Sequence, residues 1–210
     1  LIAKIDKNTL YKYYEAFGLF SRTGISSAGE ENSLFHDINT LKPIELATMS
    51  FGQRFNITPI QLITAVSAIA NDGVLVQPKI VKEIKNTDTG AITIINTVNV
   101  RQVISKETSN KMLDMMQTVV TDGTGRHAAI AGYSIGGKTG TSEANPNKPE
   151  EGYTASYIAA SPALNPEIVV LVTLYGLNGT SHQGSSVAGP VVSQILSEVL
   201  PYMGVASTQN

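Results

Sequence analysis

The segment GYSIGGKTGTSE, residues 132–143, contains the residues of this sequence whose types and spacing could do chemistry. Residues 132–139 match the phosphate-binding pattern G-x-x-x-x-G-K-[ST] without a mismatch. The overlapping segment Lys138-Thr139-Gly140-Thr141 can also be read as an extended strand beside an acyl-transfer site. The two interpretations predict different ligands and a different local structure after Lys138.

A phosphate-binding loop requires a helix that begins at its lysine, because the free N–H groups of the first helical turn hold the phosphates. After Lys138 the sequence continues with Gly140, two asparagines, Pro146 and Pro149, which are poor helix formers. The most hydrophobic predicted strand, 168–175, carries no terminal Asp or Glu that could hold Mg²⁺. The sequence therefore favours the strand, with nucleotide binding as an alternative.

A strand of this composition suits the edge of a cleft. Alternation places Lys138 and Gly140 on one face, and Thr139 and Thr141 on the other. Gly140 would let a substrate backbone lie close to the strand, and free N–H groups could polarise a carbonyl oxygen. The ammonium of Lys138 could attract a carboxylate or relay a proton. An ordinary exposed lysine near a turn is the alternative interpretation of the tripeptide.

Composition excludes several classes of protein. With 210 residues and a formal net charge of -2, the chain has room for one sizeable domain or two small ones, and it lacks the basic excess of a nucleic-acid binder. The sequence has no cysteine, which excludes disulfides, thiolate catalysis and Cys-ligated zinc. No apolar run approaches the ~18 residues of a membrane span. Because it starts at Leu1 in what resembles a helix interior, we expect a fragment of a longer protein.

Alternating helical and strand-like segments predict a mixed fold. Helices are expected at 6–17, 58–71, 105–121 and 190–200, strands at 133–139, 153–160 and 168–175, and a hairpin around 88–90. Strands that follow one another through short loops favour antiparallel pairing. The predicted inward faces are Leu62, Ile63, Val66, Ile69 and Ala70 in the second helix, and Met112, Met115, Met116, Val119 and Val120 in the third.

Other reactive side chains favour structural roles. The histidines have no metal-binding spacing, and the paired glutamates lie in loops where solvated charge is expected. Serines beside the motif have no Lys or His partner at a recognised spacing. These residues are His36, His127, His182, Glu30, Glu31, Glu150, Glu151, Ser134 and Ser142, together with Arg126, which we also expect to be structural. No metal or cofactor is expected.

Three segments resemble the transpeptidase domain of penicillin-binding proteins, class B members in particular. They read SFGQRFNITPIQLITAVSAIANDGVLVQPKIVKEI, MLDMMQTVVTDGTGRHAAIAGYSIGGKTGTSE and YTASYIAASPALNPEIVVLVTL. The resemblance implies an α+β fold, an antiparallel sheet of about five strands flanked by helices. It also implies a serine acyltransferase that cross-links peptidoglycan stem peptides and is acylated by β-lactams. Lys138, Thr139 and Gly140 match the family's Lys-Thr-Gly motif, and Thr141 matches an oxyanion-hole and substrate-carboxylate position.

The family's two other motifs are absent from the sequence. No serine is followed by Lys three residues later, and no Asn is preceded by Ser two residues earlier. Thr97-Val-Asn99 comes near the second pattern. The resemblance thus implies that the nucleophile, its lysine and the Ser/Asn pair belong to a missing N-terminal part of the same domain. We expect residues 1–204 to be the C-terminal part of that domain and 205–210 a tail or linker.

The implied setting is the outer face of the bacterial cell membrane, with an anchor outside this chain. The implied partners are stem peptides, β-lactams, the missing part of the domain and other cell-wall synthesis proteins, with no nucleic acid. A non-enzymatic penicillin-sensing or scaffold domain of the same fold is the first alternative. The nucleotide-binding interpretation of residues 132–139 is the second.

Overall fold

The computed structural model describes residues 4–143, 147–179 and 181–207. The chain divides into two compact units, residues 1–68 with 73–105 and residues 69–72 with 106–210. The expectation that the chain opens inside a helix falls on residues 1–3, which lie outside the described ranges. Within those ranges, no helix is long and apolar enough to cross a lipid bilayer.

The first unit begins with the predicted N-terminal helix, α1 (Lys7–Ala16). The Asp6 carboxylate accepts hydrogen bonds from the backbone N–H and the hydroxyl of Thr9, which satisfies the helix start. Gly18 follows the helix with φ of +79°, the left-handed stop that the sequence predicted. A short second helix, α2 (Pro43–Met49), was not predicted.

The third helix, α3 (Pro59–Ala70), begins as its capping signals predict. Thr58 Oγ1 accepts the N–H of Gln61, and the Gln61 side chain accepts the N–H of Thr58 at 2.9 Å. The predicted inward face is wrong, because its four large aliphatic residues and Ala70 are only half-buried. The buried residues are Gln61, Thr64, Ala65 and Ala68. Small side chains lie on this face, and Gln61 uses its Nε2 to donate to Ser21 O at 2.8 Å.

Five partly buried aromatic rings cluster in the first unit. Phe35 stacks on Phe55 with ring centroids 4.8 Å apart and an interplanar angle of 9°. The cluster also contains Tyr11, Tyr14 and Phe20. Burial is the main cause that raises the pKa of Tyr14 to about 12, since the phenolate would lose its hydration. The buried apolar side chains of this unit are those of Leu19, Met49, Ala65, Ala68 and Leu75.

Two short antiparallel ladders complete the first unit. β1 (Val74–Val76) pairs with β4 (Asn99–Gln102), and β2 (Glu83–Lys85) pairs with β3 (Ile92–Ile94). The β2–β3 hairpin confirms the turn predicted around 88–90. Asn86 makes this turn by accepting the N–H groups of residues 88 and 89, both at 2.9 Å.

The second unit opens with α4 (Lys106–Thr121), a predicted helix. Its buried residues are Ser109, Leu113, Met116 and Val120. Spacings of four, three and four residues place these four on one helical face. Met115 was also predicted to point inward. That prediction is wrong, because Met115 lies one residue off this face and has 54% of its surface exposed.

The sheet of the second unit has the order β5-β6-β7 and is antiparallel throughout. Its strands are β5 (Gly136–Ser142), β6 (Tyr153–Ser161) and β7 (Ile168–Leu177). β5 starts three residues later than predicted, because Gly132 turns the chain with φ of +81° and Tyr133 bridges back to Ile130. The strand order places β5 at one edge of the sheet, as the composition of its second half predicted.

Helices pack on both faces of the sheet. On one face α4 approaches β5 so closely that a Cβ added to Gly136 would lie 3.3 Å from Met116 Cβ. On the other face lie α5 (Gly184–Val187) and α6 (Gly189–Tyr202). The core on this face is fully buried at Tyr157, Ala159, Val192, Leu196 and Leu200. The packing fixes β5 between two helical layers.

Candidate active-site strand

The motif residues Lys138–Thr141 lie in the middle of β5, fully extended. They pair in antiparallel register with β6, Lys138 opposite Ile158 and Thr141 opposite Ala155. No helix begins at Lys138, so the first turn that a phosphate-binding loop needs is absent from this described segment. The nucleotide-binding alternative is therefore wrong, and the extended strand is confirmed.

β5 is an edge strand of the described sheet. Among the described strands, β6 is the only one that pairs with β5, which leaves its other edge without a strand partner. Such an edge presents backbone N–H and C=O groups that an extended peptide can use. This arrangement can bind a peptide backbone and polarise its carbonyl oxygen.

The Lys138 side chain is exposed and bends along its own strand. Its Nζ donates a hydrogen bond of 2.8 Å to the backbone carbonyl of Thr139. A backbone carbonyl carries no net charge, so the ammonium keeps its full charge for an anionic ligand. Because the contact is exposed, the ammonium can exchange the Thr139 carbonyl for a carboxylate at a small cost in free energy.

Gly140 is closely covered on one side by its partner strand. A Cβ added there would lie 2.5 Å from Ser156 Oγ. On the opposite side, a Cβ added to Gly184 of α5 would lie 2.5 Å from Gly140 O. Gly140 and Gly184 thus permit a close approach between β5 and the start of α5, which sequence analysis did not predict.

Thr141 is held from the same helix. The N–H of Gly184 donates to Thr141 Oγ1 at 3.2 Å. This bond fixes the hydroxyl oxygen on the face of the sheet that carries α5 and α6. Alternation along β5 places Thr139 on that face as well, as predicted.

The two serines beside the motif are not activated by a base in this structure. Ser134 Oγ accepts the N–H of Ala163 at 3.0 Å, and Ser142 is exposed with a long 3.5 Å contact to Glu143 O. The serine that does contact a histidine is Ser185, which lies 2.8 Å from His127 Nδ1. Sequence analysis missed this pair, because 57 residues separate the two positions.

The other two histidines are His182 and His36. His182 stacks on Tyr153 with centroids 3.9 Å apart, and the backbone carbonyl of His36 accepts the hydroxyl of Tyr11. Within the described residues, no group of three His, Cys, Asp or Glu side chains is placed to hold a metal ion. The His182 ring therefore packs against an aromatic side chain.

Of the four predicted solvated glutamates, one has a clear structural role. Glu30 accepts hydrogen bonds from the N–H and hydroxyl of Thr23 and from the N–H of Gly24. Burial acts to raise the pKa of Glu30, but these bonds outweigh burial and hold the pKa below its usual range. Glu151 forms an exposed 2.7 Å ion pair with Lys148, consistent with a solvated charge.

Comparison with known families agrees with this architecture. The model of the penicillin binding protein transpeptidase domain matches residues 1–197. Stage V sporulation protein D of Bacillus subtilis is 37% identical over 210 residues, which is 99% of this chain and 32% of that protein. A probable peptidoglycan D,D-transpeptidase, PenA of Neisseria gonorrhoeae, is 28% identical over all of this chain and 35% of its own length. The chain thus spans about a third of these relatives.

Solved structures show the same fold. Penicillin binding protein 3 of Mycobacterium tuberculosis, in complex with ampicillin, superposes with a TM-score of 0.86 at 27% identity. That match covers 99% of this chain and 48% of the tuberculosis chain. The transpeptidase domain of penicillin-binding protein 3 from Burkholderia pseudomallei gives a TM-score of 0.82 at 28% identity, over all of this chain and 61% of the other.

These likenesses confirm the α+β fold with an antiparallel sheet that the sequence predicted. The family model alone matches far more than half of the chain. This chain belongs to the penicillin-binding protein transpeptidase family.

Proposed function

We propose that this chain forms part of a serine-type D,D-transpeptidase that cross-links peptidoglycan stem peptides and is acylated by β-lactams. The observation that carries the proposal is the open edge strand β5, which presents Lys138–Thr141 in a chain of this family. The ampicillin complex of the Mycobacterium tuberculosis relative supports β-lactam binding.

Each motif residue has a role in this proposal. Lys138 attracts the carboxylate of the substrate or relays a proton, and Thr139 lines the strand beside it. Gly140 lets the substrate backbone lie against β5. Thr141 donates its N–H to the developing oxyanion and its hydroxyl to the substrate carboxylate. The exposed ammonium and the fixed Thr141 oxygen support these assignments.

The reaction needs a serine that this sequence does not supply. None of its serines is followed by Lys three residues later. We assign the nucleophile, its lysine and the Ser/Asn pair to a segment of the same domain outside these 210 residues. The term "complete domain" is used below for that segment together with this chain. The chain alone is inactive in this proposal.

In the complete domain the serine oxygen bonds to the carbonyl carbon of the stem peptide. The bond from that carbon to the terminal amino acid breaks, and the departing amine takes the serine proton. The amino group of a second stem peptide then bonds to the same carbonyl carbon, the bond from that carbon to the serine oxygen breaks, and the serine oxygen takes one of the amine protons, which completes the cross-link. This chemistry is proposed to occur at the outer face of the cell membrane, with other cell-wall synthesis proteins as partners of the whole protein.

Incubation of the complete domain with a stem peptide and an acceptor amine tests the proposal. Mass spectrometry should detect release of the terminal amino acid and a new amide between carbonyl and acceptor. A domain that binds a β-lactam covalently and yet forms no amide with any acceptor would contradict transpeptidase activity. That result would favour a penicillin-sensing domain of the same fold.

A further inference from the structure

A polar cluster of the buried Ser185 and the exposed Thr124 and His127 connects the loop before β5 with the start of α5. Ser185, with 9% of its surface exposed, donates a short hydrogen bond to the carbonyl of Thr124. His127 Nδ1 lies 2.8 Å from the same serine oxygen. With the single hydroxyl hydrogen of Ser185 assigned to the Thr124 carbonyl, His127 Nδ1 is the donor and the serine oxygen the acceptor in this arrangement. The pair is therefore not a nucleophile with its base.

The loop that holds this cluster is anchored to the centre of the sheet. The buried Tyr157 of β6 donates its hydroxyl to Gly125 O at 2.7 Å. The start of α6 also lies against the loop, since a Cβ added to Gly189 would be 3.1 Å from His127 Cβ. Thr124 and His127 thus lie on either side of the anchored Gly125 in the sequence, and both hydrogen-bond to Ser185.

Ser185 follows Gly184, the residue that contacts the motif. Gly184 donates its N–H to Thr141 Oγ1 at 3.2 Å. A displacement of Ser185 would also shift Gly184 and its N–H, because the two residues are adjacent in the chain. The chain of contacts therefore runs from His127 through Ser185 and Gly184 to Thr141.

We infer that His127 and Ser185 are positioning residues, which fix Gly184 so that its N–H orients the Thr141 hydroxyl toward the carboxylate of a stem peptide or β-lactam. This inference deepens the proposed function and rests on it. Small displacements of an orienting group have large effects on rate, since reacting groups must meet in a narrow range of geometries. The pair would act on the speed of acylation while it leaves the chemistry unchanged.

The first test compares acylation rates of the complete domain with a labelled penicillin. His127→Ala and Ser185→Ala should each slow acylation by about 5- to 20-fold. His127→Asn should retain a rate near that of the parent, because the amide nitrogen lies as many bonds from Cα as Nδ1 does and can donate to Ser185. Ser186→Ala is the matched control on the same helix and should leave the rate unchanged, since the Ser186 side chain is exposed.

A double-mutant cycle tests the route through Thr141. In a Thr141→Val background, Ser185→Ala should cause no further loss, because the acceptor of the Gly184 N–H is already gone. Melting temperatures identify any variant that fails to fold. If Ser185→Ala does not fold, the comparison of His127→Ala with His127→Asn decides.

Three results would overturn the inference. Alanine variants that fold and react at the parent rate would show that the pair has no positioning role. An equal loss in both Thr141 backgrounds would show that any effect bypasses Thr141. Penicillin adducts on Ser185 would make it a nucleophile. A complete domain that is never acylated would instead overturn the proposed function, and with it this inference.

Discussion

The hydroxyl of Tyr157 donates a 2.7 Å hydrogen bond to the backbone carbonyl of Gly125, in the core of the second unit. The Tyr157 side chain is fully buried, and Gly125 is buried as well. This bond ties the central strand β6 to the loop that precedes the motif strand. The Tyr157 hydrogen bond therefore holds the loop against the sheet to which the motif strand belongs.

The first prediction concerns this bond. Tyr157→Phe should lower the free energy of unfolding of the complete domain by about 0.5–1.5 kcal/mol, because the Gly125 carbonyl loses one of its two donors and keeps only the Ala128 N–H. Denaturant unfolding measures the change. Tyr175→Phe, with its ring 65% exposed, is the matched control and should change stability by less than about 0.5 kcal/mol. Equal effects of the two substitutions would contradict the role of the bond.

The second prediction concerns alkaline pH. Burial raises the pKa of Tyr157 from 10.0 to about 12. The fold therefore favours the neutral phenol, and the stability from this group is complete below pH 10 and is lost as pH rises toward 12. Tyr14 contributes in the same direction. The free energy of unfolding should fall over this window, and less steeply in Tyr157→Phe. An identical slope in parent and variant would show that Tyr157 does not titrate abnormally.

The third prediction concerns Gly137, which precedes the motif lysine. A Cβ added there would lie 2.6 Å from the Tyr157 ring and 3.1 Å from Ile158 O. The ring is fixed by its hydrogen bond, so Gly137→Ala should destabilise the complete domain by about 1–3 kcal/mol. Gly179→Ala is the control, since its added Cβ meets no atom within 4 Å. Unchanged stability in Gly137→Ala would show that Tyr157 can move aside.

The fourth prediction concerns Lys138. Lys138→Ala should slow acylation of the complete domain by roughly 10²–10⁴, the range for loss of a positioned proton-transfer or charge-stabilising group. Its melting temperature should stay near that of the parent, because the exposed side chain packs against little. Lys111→Ala, which removes another exposed lysine, should leave acylation unchanged. Equal acylation by Lys138→Ala and the parent would show that Lys138 is a surface residue only.

Local signals in the sequence predicted the positions of these elements well. Thr58, Pro59 and Gln61 marked the start of α3, and Gly140 excluded a helix after Lys138. Such signals act within one helical turn, so a few adjacent residues are enough to specify the local structure. For this reason the edge strand and its motif could be recognised before the structure.

Long-range packing could not be predicted in the same way. Gly184 meets Gly140, and His127 meets Ser185, across more than forty residues of chain. The inward face of α3 was also misjudged, because hydrophobicity alone selects large residues where the packing uses Thr64 and Ala68. The partner element decides which face is buried, and a single sequence does not contain that choice.

The central claim is that this chain supplies one wall of an acylation site whose nucleophile lies in another segment. Mass spectrometry after incubation with a labelled penicillin tests it most directly, with this 210-residue chain alone and with the complementary segment added. The account predicts no adduct on the chain alone, because loss of such a nucleophile costs on the order of 10⁶ in rate. It predicts labelling of a serine in the added segment once the two are combined. Stoichiometric labelling of the chain by itself, on Ser134 or Ser142 for example, would contradict the account.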